Sequence, residues 1–187
     1  ELMASKIGDE TVEAMLNTAV AGIGEKISIR RFVRLEGAVD TYIHLGGRIG
    51  VIAQFDKEGD KEAMHDVALQ IAAANPICVD VNNLPADVMA HERAIQLAKA
   101  KEENAASAKP KPDAIVEKMV DGRMSKYYKE VCLDEQQFVK DQNLTIKQML
   151  AAKGGLKVLQ FVRYEMGEGL QKREDNFADE VMSQMKK

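Results

Sequence analysis

Three histidines, two cysteines and a short glycine cluster are the residues of this chain whose chemistry could carry a reaction. His44, His65 and His91 are scattered, and none falls in a spacing such as His-x-x-x-His that would gather metal ligands. No metal site is expected. The cluster Gly46-Gly47-Arg48-Ile49-Gly50 lacks the Lys-Ser/Thr pair and the following helix of a phosphate loop, so it reads as a hairpin turn. No Gly-x-Ser-x-Gly occurs, and Cys78 has no basic neighbour to lower its pKa. Covalent catalysis has no candidate residue and no cofactor is called for. Cys78 and Cys132 both sit in apolar company, the setting of buried reduced thiols rather than of a bridge. One local basic run remains. Lys26, Arg30, Arg31 and Arg34 surround Phe32, a mixture that suits a platform for single-stranded RNA and equally a solvated sheet face paired to acids such as Glu36. The chemistry on offer is recognition, not bond making.

Composition narrows the class further. The 187 residues carry 26 basic and 30 acidic side chains, a net charge of −4, which is too negative for nucleic acid or anionic lipid to be held over the whole surface. Charged residues are 30%, hydrophobic residues 45% and aromatics 5%, a helix-friendly balance able to bury a core without metals or disulfides. No apolar run approaches the roughly 18 residues of a membrane span, and the expected placement is cytosolic. The start at Glu1-Leu2-Met3-Ala4, without an initiator Met, suggests a fragment or a processed chain.

The elements that must position these residues follow from periodicity. Val12, Met15, Leu16, Ala19, Val20 and Ile23 recur at helical spacing, with Asp9 as cap and Gly24 as stop. Residues 26–36 alternate as a strand. Residues 41–45 and 48–55 form an antiparallel hairpin about Gly46-Gly47, with Ile49, Val51, Ala53 and Phe55 on one face. Asp60 opens a helix whose apolar face is Ala63, Met64, Val67, Ala68 and Ile71, and Asn75-Pro76 ends it. An extended piece, 77–81, follows.

From Pro85 the stripe Leu84, Val88, His91, Ile95 and Ala98 steps by four and three, the seam of a two-helix coiled coil. A polar, Pro-bearing break at 104–112 leads to a second arm with Ile115, Val116, Met119, Val120 and Tyr127 on one side. Each arm is roughly 28 Å long at 1.5 Å per residue. The arms hold nine basic and eight acidic residues over 84–131, so they carry no phosphate-tracking stripe. Beyond them, 134–143 reads as a loop, and Thr145 with Gln148 makes the capping box of a short helix stopped by Gly154-Gly155. Residues 158–166 read as a strand, and 176–187 as a helix presenting Phe177, Val181, Met182 and Met185. The strings at 31–37 and 160–167 resemble each other, and each follows a glycine-ended helix, as two copies of one unit would.

Several strings, in order along the chain, together resemble bacterial elongation factor Ts. They are Lys26-Ile27-Ser28-Ile29-Arg30-Arg31, Tyr42-Ile43-His44-Leu45-Gly46-Gly47-Arg48-Ile49-Gly50-Val51, Ile71-Ala72-Ala73-Ala74-Asn75-Pro76, Glu117-Lys118-Met119-Val120-Asp121-Gly122-Arg123-Met124, Gln137-Phe138-Val139-Lys140-Asp141 and Phe161-Val162-Arg163-Tyr164-Glu165-Met166-Gly167-Glu168-Gly169. The resemblance implies an α+β fold of small antiparallel sheets packed with helices, plus an inserted antiparallel coiled-coil helical hairpin. It implies that 1–37 is the tail of a first core subdomain, that 38–83 and 132–187 form the second with its C-terminal helix, and that 84–131 is the inserted hairpin. The implied partner is the GTPase elongation factor Tu, met through His44, Leu45, Gly46, Gly47 and Arg48 and through Phe177, Val181 and Met182. The implied activity is allosteric promotion of GDP release. The family's N-terminal helical domain and its Thr-Asp-Phe-Val motif do not occur in this sequence, which implies weaker exchange and leaves room for a separate N-terminal piece as a second partner. An RNA-binding module acting through 26–34 and a non-catalytic interaction scaffold are the alternatives.

Overall fold

The computed structural model describes residues 1–169. They form two units, residues 1–34 and the chain from Leu35 onward. In the first, β1 (Lys6–Ile7) pairs antiparallel with β2 (Glu10–Thr11), and α1 (Val12–Ile23) follows directly. The cap of α1 is Thr11 rather than Asp9: the Ala14 N–H donates to Thr11 Oγ1 at 3.1 Å, while Asp9 lies in the β1–β2 turn. Gly24 stops the helix at φ 78°, as its position predicts. Val12 is the one buried side chain of this unit, and Met15 and Ile23 of the expected apolar face lie exposed. Residues 26–36 do not form the expected strand and pair with no other strand among the described residues. Alternation of side chains prepares a strand but does not make one, because its N–H and C=O groups need a ladder. The two similar strings thus differ in local structure: 31–37 lies in no strand, whereas most of 160–167 lies in the strand Val158–Glu165.

The second unit is built on a three-stranded antiparallel sheet in the order β3 (Val39–His44), β4 (Ile49–Phe55), β7 (Val158–Glu165). Central β4 alternates as its sequence dictates, with Ile49, Val51, Ala53 and Phe55 buried and the residues between them half-buried. The register sets Tyr42, Val51 and Arg163 in one row and His44, Ile49 and Glu165 in the next. Onto the buried face packs α2 (Lys61–Ala74), capped by Asp60, whose Oδ1 accepts from Glu62 and Ala63, and ended by Asn75 at φ 46°. Its Ala63, Met64, Val67, Ala68 and Ile71 join Leu133, Phe138, Ile146, Leu150 and Leu156 in one core. The expected loop at 134–143 instead contains a small hairpin of β5 (Gln137–Phe138) and β6 (Asp141–Thr145). The Thr145–Gln148 capping box forms as expected and opens α5 (Ile146–Ala152).

The insertion is an antiparallel helix pair, α3 (Ala86–Ala105) and α4 (Asp113–Val131). Its seam is not the predicted stripe. His91 and Ala98 are exposed, and the arms meet through Ala100, Val116, Val120 and Met124, with Met89, Leu97, Tyr127 and Tyr128 against them. Arg93 lies on the contacting side and donates to Asp121 at 2.8 Å and Glu117 at 3.1 Å, while Arg123 meets Glu103 from the opposite arm. Polar pairs that bridge the arms thus displaced the hydropathy signal.

At the root, residues 77–79 run beside 131–134: Ile77 N–H donates to Val131 O, Leu133 N–H to Cys78 O and Asp134 N–H to Val79 O. This brings the free thiols together, Cys78 Sγ 3.4 Å from Cys132 Sγ, in a cluster with Leu84, Val88, Tyr127 and Tyr128. Burial first, then the neighbouring sulfur, pushes the Cys132 thiol up to about 12, and burial raises Cys78 as well. Both are free thiols that burial holds protonated, and no local pattern in the sequence shows that they touch. No helix among the described residues is long and apolar enough to cross a membrane.

Candidate functional site

The turn predicted to meet a partner closes the β3–β4 hairpin. Leu45, Gly46 and Gly47 form a 3-10 turn with φ angles of 50°, 64° and 94°. Glycine adopts such angles freely, whereas Leu45 does so against its own side chain. Yet Leu45 is 63% exposed, so burial within this unit does little to offset that strain. Ile43 and Met166 are each 67% exposed, and the Met166 N–H donates to Arg48 O at 2.7 Å, which ties the end of β7 to the turn. One end of the sheet therefore holds three large apolar side chains in water beside the exposed Arg48.

His44 points to the same sheet face as Tyr42, two residues back, because strand side chains alternate. The Tyr42 hydroxyl lies 3.2 Å from His44 Nδ1, and the two rings stack with centroids 5.6 Å apart. His65, from the second turn of α2, meets Tyr42 edge-on at 5.4 Å and sets its own Nδ1 3.3 Å from Asp40 Oδ1. On the far strand Arg163 donates to Glu165 at 2.8 Å, and its Nε is buried without a hydrogen-bond partner among the described residues.

His44, Leu45, Gly46, Gly47 and Arg48 lie together at one edge of the sheet. Phe177, Val181 and Met182 lie outside the described residues. Tyr42, His65, Asp40 and Met166 were missed by that reading. Tyr42 could have been found, since a tyrosine two positions before a histidine on a strand must share its face. The Asp40–His65 contact joins residues 25 apart and leaves no local pattern.

No three His, Cys, Asp or Glu side chains gather as a metal site among the described residues. A cavity of about 460 Å³ opens between α5 and residues 79–80, with Asp80 and Asp134 set among Lys147 and Lys157. Burial raises the Asp134 carboxyl, and Lys147 partly opposes it. The mixed signs leave no phosphate cradle there.

Fold and site together define a class: a small α+β protein with an inserted helical hairpin and a strained, apolar, solvent-facing turn. The chain matches the family model of elongation factor Ts over residues 1–168, and it belongs to that family. Its place is accordingly among the nucleotide-exchange elongation factors of protein synthesis.

Proposed function

We propose that this chain acts in the cytoplasm as a guanine-nucleotide exchange factor, binding the GTPase elongation factor Tu and promoting GDP release without bond chemistry of its own. The observation that carries the reading is the family match over residues 1–168. The exposed turn supports it, since Leu45 holds a costly backbone conformation and an apolar side chain in water, an arrangement suited to burial against a partner. The docking surface comprises residues 44–48 with Ile43 and Met166, together with Phe177, Val181 and Met182 of the C-terminal stretch.

The mechanism is differential affinity. A factor that binds best to the partner state holding Mg²⁺ and diphosphate poorly draws the population toward that state, so GDP leaves. Linkage then requires that GDP weaken the factor's binding by the same ratio. No side chain of this chain has to touch the nucleotide. Calorimetric titration against nucleotide-free and GDP–Mg²⁺-loaded elongation factor Tu tests the proposal. The nucleotide-free form should bind at least about tenfold more tightly. Equal affinities would overturn exchange-factor activity while leaving family membership untouched.

A further inference from the structure

We infer that Tyr42 is a positioning residue that fixes the tautomer of His44, so that the docking turn presents an N–H donor and requires an acceptor oxygen from the partner. The inference rests on the docking role proposed above for the turn. Its starting point is a chain of contacts that no local sequence pattern shows: Asp40 to His65, His65 to Tyr42, Tyr42 to His44. Each member restrains the next. Asp40 holds the His65 ring, which meets the Tyr42 ring at 74°. Tyr42 in turn stacks on His44 at an interplanar angle of 28° and reaches Nδ1 with its hydroxyl.

A phenol is a good donor and a poor acceptor, and a neutral imidazole has one nitrogen of each kind. With the Tyr42 O–H donated to Nδ1, the ring proton belongs on Nε2. Among the described residues Nε2 has no hydrogen-bond partner, and His44 is half-buried at the rim of the turn. Its N–H is therefore the polar group left over for a partner, at the strand end that leads into the exposed Leu45 of the turn. A carbonyl or carboxylate oxygen satisfies it as the apolar rim closes. A donor in that place would leave two N–H or O–H groups opposed and desolvated, which is how such a site rejects a wrong surface.

Tyr42→Phe keeps both ring contacts and removes only the hydroxyl. Binding to nucleotide-free elongation factor Tu should weaken about three- to tenfold, the range for one net hydrogen bond. The melting temperature should stay nearly unchanged. The same substitution made on His44→Ala should cost nothing more, because the hydroxyl acts through the imidazole. His44→Gln, which keeps a side-chain N–H, should bind better than His44→Leu. Nitrogen-15 shifts of the His44 ring in the free chain supply a readout that a merely structural role would not move: the Nε2–H form in the parent, and a mixture of tautomers in Tyr42→Phe. An Nδ1–H form in the parent, or an equal loss from Tyr42→Phe in both backgrounds, would overturn the positioning role while the docking turn stood. Unchanged affinity in His44→Ala would remove the docking role of this residue and the inference with it.

Discussion

The sheet of the second unit and the hairpin inserted into it solve the same problem in opposite ways. The sheet packs an alternating strand on an apolar helix, and Ala53, Val67, Ala68, Ile71, Leu133 and Ile146 all sit at zero exposure in one continuous core. The hairpin buries only Ala100, Val116, Val120 and Met124 along its length and sets charged pairs from Arg93 and Arg123 beside them. Exposed ion pairs contribute little net stability, so the arms are held mainly by the narrow seam and by the cluster at their root. Global stability therefore resides in the sheet, while the hairpin can open locally without unfolding it.

The contrast is broken most directly at Ile71, which lies in the core at 0% exposure. Ile71→Ala should destabilise the whole second unit by about 2–5 kcal/mol, read as a lower midpoint in urea with a single transition. A change confined to α2, with the rest of the core unmoved, would show that the core is not one cooperative body.

The root of the hairpin gives an intermediate effect and a sign. Burial carries the Cys132 thiol from its ordinary 9.0 up to about 12. Above pH 9 the unfolded chain gives up a proton that the folded chain keeps. This contribution to stability is therefore complete below about pH 9 and is lost progressively as pH rises toward 12. Urea midpoints between about pH 8 and about pH 11 should fall in the parent, and Cys132→Ala should flatten that alkaline limb. Identical slopes in the two proteins would mean that the root is already open to water.

The smallest effect on the core should come from removing the arms. Replacement of residues 91–125 by a short Gly-Ser linker leaves both ends of the root in place, and closure entropy changes slowly with loop length. The melting of the core should remain cooperative and shift by no more than about 1 kcal/mol. Loss of the transition would merge the two regions into one and end the comparison.

The same contrast explains what the sequence made legible. Strand β4 and helix α2 were readable because one face of each is wholly apolar and the period is unbroken, and Asp60 and Thr145 announced their caps by residue type. The hairpin's existence was readable from its length and its Pro-bearing break. Its seam was not, because Arg93 and Glu103 occupy the contacting side and find their partners on the other arm, which hydropathy counts as solvent exposure. Residues 26–36 had the alternation of a strand but join no ladder among the described residues. At the docking turn, glycine chemistry located the bend, whereas the support beneath His44 depends on α2 bringing His65 to Tyr42. That is a product of packing, not of spacing.

The short parallel backbone pairing of Cys78 with Cys132 has a mechanical consequence. Arms of roughly 28 Å anchored by one short pair of extended segments form a lever, and a rotation of about 10° at that anchor carries the tip through about 5 Å. A shift of a few tenths of an ångström among Leu84, Tyr127 and Tyr128 is thus magnified at the far end, and the fulcrum's tightness decides how accurately the tip is aimed.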